Sequence, residues 1–167
     1  MNVKKMVRAS LFAALIAVCA WIAVPIPPIS FTMQTFGVFL ALGVLGGKWG
    51  SISIFIYLLL GVTGLPVFTG FRGGVDALVG VTGGYLWGFL VSGLVYWALE
   101  RFGKLPAMVL GMAACYICGS LWFTVYAGTV GFWGAMMTCV VPYLIPDAVK
   151  IGLAHLLSNR IRRALKI

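Results

Sequence analysis

Long apolar runs separated by short polar or glycine-bearing connections fill the chain, and read as helices they give six spans, at residues 6–24, 34–45, 49–62, 84–99, 106–127 and 142–157. At 1.5 Å per residue, 34–45 and 49–62 reach only about 20 Å, short of a hydrocarbon core of roughly 30 Å, so they borrow flanking residues or form a partly sunken hairpin. The first run shares a basic start and an apolar stretch with secretory leaders. It is long, lacks a clean small-residue cleavage site and leads into Pro25-Ile26-Pro27-Pro28, so a retained membrane helix is expected. Small residues recur at four-residue spacing within the spans: Ala9, Ala13 and Ala17 on the first, Gly84, Gly88 and Ser92 on the fourth. Such stripes let helix backbones approach closely in lipid. Ordinary bundle packing is expected of the fourth helix. The first leaves packing and docking of a partner subunit both open.

Composition fixes the surroundings. Hydrophobic residues make up 62% of the chain and charged residues 9%, and the mean hydropathy is +1.10, a balance that a soluble domain of this length cannot hide from water. The expectation is an all-α membrane protein forming one domain over residues 1–167. No Walker A motif, dinucleotide fingerprint or zinc spacing occurs, so neither an enzyme nor a resident cofactor is expected. A net charge of +9 would raise nucleic acid as a partner for a soluble chain, but the placement of the charges points elsewhere. With six spans threaded, Lys4, Lys5, Arg8, Lys48, Glu100, Arg101, Lys104, Arg160, Arg162, Arg163 and Lys166 fall on one side. The opposite connections, 25–33, 63–83 and 128–141, hold only Arg72 and Asp76. By the positive-inside rule the basic side is cytoplasmic, with both termini there, and the protein is multi-pass in the cell membrane with lipid as its neighbour. Five or seven spans would spoil this sorting. Cys19, Cys115, Cys118 and Cys139 lie in apolar stretches and read as small buried hydrophobes. His155 is the only histidine, which excludes a multi-histidine metal site.

Chemistry concentrates in the last span, where Asp147 and Lys150 stand three residues apart and so share one helix face. Each charge costs at least ~2.5–3.5 kcal/mol at membrane depth unless compensated, so the pair reads as a binding site for a polar solute. A structural ion pair that only links helices is the competing reading. The connection 63–83, between spans three and four on the extracellular side, is long, glycine-rich and too apolar for a solvated linker: Val67, Phe68 and Phe71 fit poorly in water. It reads as a lid folded over a cavity.

Several segments together resemble a known family. They are Thr32-Met33-Gln34-Thr35-Phe36-Gly37-Val38, Leu45-Gly46-Gly47-Lys48-Trp49-Gly50, Gly64-Leu65-Pro66-Val67-Phe68, Gly73-Gly74, Gly80-x-Thr82-Gly83-Gly84-Tyr85-Leu86-x-Gly88-Phe89 and Pro146-Asp147-x-x-Lys150. The chain is similar over residues 9–160 to BioY, the biotin-specific S-component of energy-coupling factor (ECF) transporters. The resemblance implies a six-helix biotin-capture subunit that works with a transmembrane coupling protein and two cytoplasmic ATPases. It also implies that the stripe of Ala9, Ala13 and Ala17 is the docking surface for the coupling protein. The pattern departs in one respect: Arg72 stands where some relatives carry a polar residue, often asparagine, and Leu86 where some carry arginine; either a cation has moved between elements or Arg72 simply faces solvent. Biotin offers two ureido N–H donors, a ureido carbonyl, apolar rings and chain, and a carboxylate. Asp147 can accept from a ureido N–H and Lys150 can donate to a carbonyl or carboxylate. Gln34 and Thr35 add neutral hydrogen bonds, Tyr85 or Trp87 stacks on the rings, Arg72 supplies a further cation, and Gly73 and Gly74 bring backbone close to the ligand. An S-component for another vitamin and a stand-alone secondary transporter remain alternatives.

Overall fold

Six long helices carry the architecture of the computed structural model, which describes residues 3–26, 29–128 and 130–165; Pro27, Pro28 and Lys166 of the sequence reading lie outside the described residues. In order the elements are α1 (Val3–Trp21), β1 (Ala23–Val24), β2 (Phe31–Thr32), α2 (Gln34–Leu45), α3 (Gly47–Val62), α4 (Val75–Val79), α5 (Gly83–Leu99), α6 (Lys104–Ala127), α7 (Phe132–Cys139) and α8 (Leu144–Leu165). Helices α4 and α7 are short, and 3-10 turns follow α5 and precede α8. The spans expected at 34–45, 49–62, 84–99 and 106–127 coincide with α2, α3, α5 and α6 to within two residues. The outer two differ. The first helix stops at Trp21 because residues 23–24 leave it to pair antiparallel with 31–32, Ala23 opposite Thr32 and Val24 opposite Phe31. The last continues eight residues past 157, since Ser158, Asn159 and Arg162 find partners within the bundle instead of ending the helix.

Hydrogen bonds tie the helices at two opposite ends. At one end Glu100 accepts from the Gly47 N–H (2.8 Å), Lys104 donates to Asn159 (3.0 Å) and Arg162 lies over the Gly43 carbonyl (3.4 Å). At the other, Trp21 reaches Pro66, Trp122 reaches Gly80, and Lys150 reaches Thr32. Close approach between helices relies on missing side chains. A Cβ on Gly84 would overlap the side chain of Trp122, one on Gly88 would sit 3.0 Å from Cys115, and Ser92 is fully buried, so the stripe on α5 packs against α6. A Cβ on Gly47 would overlap the backbone of Trp97 on α5, so the α2–α3 corner can lie against α5 only with glycine there.

Among the described residues, two helical stretches are long and apolar enough to cross a membrane, Lys104–Ala127 and Phe132–Ala164. The bundle surface supports the same reading. Leu11 of α1, Phe55 of α3, Leu94 of α5, Ile117 of α6 and Leu153 of α8 are all turned outward and about half exposed or more. Large apolar side chains on the outside as well as in the core call for a nonaqueous neighbour.

Candidate functional site

The buried pair is built by helical register. On α8 Asp147 and Lys150 project from one face, and Lys150 Nζ lies 2.7 Å from Asp147 Oδ1 with both side chains almost fully buried. The charges are compensated from two other elements. Tyr116 of α6 donates to Asp147 Oδ2 (2.7 Å), the carbonyl of Thr32 on β2 accepts from Lys150 (2.7 Å), and Lys150 Nζ sits 3.7 Å from the centre of the Phe31 ring. Lys150 therefore spends its donors on a carboxylate, a carbonyl and a π-face. Asp147 keeps lone pairs free for one more donor. An arrangement like this avoids the several kcal/mol per ion that an unpaired buried charge costs.

The pair forms part of the wall of a cavity of about 640 Å³, within the range of small-molecule sites. Met112, Cys115 and Tyr116 of α6 and Leu86 and Phe89 of α5 make much of the inner wall, with Tyr85 beside them. All three connections at this end contribute. Ile29, Ser30, Phe31 and Thr32 come from the first, Phe68, Thr69, Arg72 and Asp76 from the second, and Tyr126, Cys139 and Tyr143 from the edges of the third. Tyr143 donates to the Ile29 carbonyl and its ring lies nearly parallel to Phe31, centroids 6.4 Å apart, which joins the first and third connections. Gln34 joins α2, α3 and the second connection: its amide N–H donates to Tyr57 Oη (2.9 Å) and its carbonyl accepts from Thr69 (3.4 Å). Phe68 is buried edge-on against Tyr57, over Gly61, where a Cβ would fall inside the Phe68 ring.

Of the residues expected in the site, Asp147, Lys150, Gln34, Thr35, Arg72 and Tyr85 line this one cavity. Arg72 is exposed at its rim. Three further groups from the sequence reading lie off the cavity wall. Trp87 points outward, 45% exposed, and does not line the cavity. The reason is angular: Tyr85, Leu86 and Phe89 occupy one arc of α5, and residue 87 falls on the opposite side at 100° per residue. Gly73 and Gly74 shape the second connection without lining the cavity. A Cβ on Gly73 would overlap the Leu65 carbonyl, while Gly74 adopts φ +93° and donates its N–H to the Gly61 carbonyl (2.7 Å). The stripe of Ala9, Ala13 and Ala17 is turned inward, at 0%, 0% and 6% exposure, where α1 packs on α2 and α3. Its methyls pack in the core of this chain; the small residues α1 leaves exposed are Ser10 and Ala14.

Sequence reasoning missed Tyr116, Phe31, Thr32 and Tyr143. For Tyr116 a signal existed, since a phenol amid an apolar span needs a partner for its hydroxyl when buried. Phe31 and Thr32 meet Lys150, and Tyr143 meets Ile29, only through contacts across more than a hundred residues.

The BioY family model matches residues 1–167. Among curated relatives, the biotin transporter BioY of Thermotoga maritima is 38% identical over 165 residues, covering 96% of this chain and 96% of that protein. The probable biotin transporter BioY of Pyrococcus horikoshii is 37% identical, covering 97% and 98%. Among solved structures, the S-component for biotin from an ECF-type ABC transporter superposes with a TM-score of 0.88 at 26% identity, over 98% of this chain and 94% of that one.

Proposed function

Since the chain belongs to the BioY family, we propose that it captures biotin as the substrate-specific subunit of an ECF-type transporter in the cell membrane. On this reading it is a single membrane domain with six crossings, its basic end is cytoplasmic by the positive-inside rule, and the cavity opens on the opposite side. It binds and does not catalyse. A transmembrane coupling protein and two cytoplasmic ATPases supply the energy, and a movement of the whole subunit in the membrane exposes the cavity to the cytoplasm.

The observation that carries the reading is the polarity of the cavity along its depth. Its buried pole holds a charge pair whose cation is fully engaged and whose anion still has accepting lone pairs. Its rim holds the exposed guanidinium of Arg72. Biotin matches both ends when the ureido ring enters first: an N–H donates to Asp147, the apolar rings lie along Leu86, Phe89 and Met112, and the carboxylate meets Arg72. Reversed, the ligand would bring a carboxylate to Asp147, a like-charge contact in a low-dielectric site.

The decisive experiment is biotin titration of the detergent-purified chain without ATP, followed by uptake into liposomes. Tight binding alone, with uptake only when coupling protein and ATPases are present, is the expected result. Uptake by this chain alone would overturn the S-component reading. Absence of biotin binding in folded protein would overturn the substrate.

A further inference from the structure

The tip of the second connection carries the one non-glycine residue with positive φ among the described residues, Phe71 at φ 57°. A phenylalanine there is strained in a way that the neighbouring Gly70, at φ 72°, is not. Burial does not account for it, because Phe71 is 64% exposed. What holds it is Trp21, the last residue of α1. The two rings stack with centroids 5.2 Å apart and planes 26° from parallel, and the indole N–H donates to the Pro66 carbonyl at 2.8 Å. Trp21 thus grips the 66–71 turn at its start and at its tip. The turn closes one residue later, where the Phe68 N–H donates to the Arg72 carbonyl (2.9 Å). Arg72 and Phe68 line the cavity; Trp21 does not.

We infer that Trp21 is a positioning residue for ligand capture, a latch on the end of α1 that holds the 66–72 turn closed so that Arg72 stays over the mouth of the cavity. The inference rests on the biotin reading for its ligand, but its mechanical part does not. Without the latch, Phe71 relaxes out of the left-handed conformation, the turn loosens, and the cation at the rim no longer retains the carboxylate. Losing a positioned contact that the bound state makes acts on escape more than on entry, so the effect falls on dissociation.

The test uses the full chain in detergent with radiolabelled biotin. Trp21→Leu should speed biotin dissociation about tenfold with association changed less than twofold, and Trp21→Phe, which keeps a ring but loses the N–H, should give about threefold. In an Arg72→Ala background the Trp21→Leu effect should shrink below twofold, because the two act through one element. Hydrogen exchange of the Phe68 amide in ligand-free Trp21→Leu should be faster than in the wild type. Unchanged dissociation, a full tenfold effect persisting without Arg72, or an unchanged Phe68 amide would each overturn the latch. Should the wild type not bind biotin, the functional reading fails on its own, and the amide measurement still decides the latch.

Discussion

Removing one partner of the buried pair, or both, separates a binding site from a mere structural link. In Lys150→Ala, Asp147 keeps only the Tyr116 hydroxyl as a partner while its side chain stays buried, 5% exposed to solvent. Leaving one member of a buried pair uncompensated costs about 3–5 kcal/mol, which should appear as a lowered midpoint of thermal unfolding. Biotin affinity should fall by at least ~2 kcal/mol, roughly 30-fold, because Asp147 loses the partner that aims it into the cavity. Asp147→Asn should lose a similar amount, and it leaves Lys150 with the Thr32 carbonyl and the Phe31 ring as partners. The double variant Asp147→Leu/Lys150→Met discriminates. An apolar pair of similar volume is often neutral or stabilising where an ion pair stood, so its unfolding midpoint should return to within a few degrees of wild type while biotin binding stays lost. Calorimetric titration with biotin, paired with thermal unfolding of the same samples, measures both quantities. Wild-type affinity in the folded double variant would refute the assignment, since the pair would then be only a link between α8 and its neighbours.

Three further outcomes follow from the same geometry. Arg72→Ala should weaken biotin about tenfold at low salt and less at high salt, because Arg72 is exposed and screened, while binding of biotin amide, which lacks the carboxylate, should be unaffected. Tyr116→Phe removes a hydrogen bond to a charged group and should cost about 1.5–3 kcal/mol of biotin affinity in titration, with helix content unchanged by circular dichroism. Gly47→Ala drives a methyl into the Trp97 backbone and should destabilise the α2–α3 corner by about 1–3 kcal/mol in thermal unfolding, leaving the affinity of the folded fraction intact because the corner lies at the end away from the cavity.

Much of this architecture was legible because lipid makes long apolar runs unambiguous: α2, α3, α5 and α6 were readable nearly to the residue. Asp147 and Lys150 stood out for the complementary reason, as charges where charge is expensive. Local spacing reached its limit at α1, where periodicity finds the small stripe but not the direction it faces; Ala9 and Ala13 are core because α2 and α3 pack on that side. Helices α4 and α7, of five and eight residues, were hidden within connections whose glycines argued for loops. The 63–83 segment was read as a lid from its aromatics, and Phe68 does lie buried beside the cavity. That the first and third connections join it could not be read from either, because the Tyr143–Ile29 hydrogen bond and the Lys150–Phe31 contact exist only once the ends of the chain are brought together.

Asp147 and Lys150 cancel one another at the bottom of the cavity, and a ureido group carries no net charge. Filling that pole transfers no charge through the membrane field, which otherwise does work of about 2.3 kcal/mol per elementary charge per 100 mV. On the proposed reading, the ligand's single negative charge stops at the entrance beside Arg72. Filling the site is on that reading electrically silent, and only a later crossing of the membrane would carry the ligand's charge through the field.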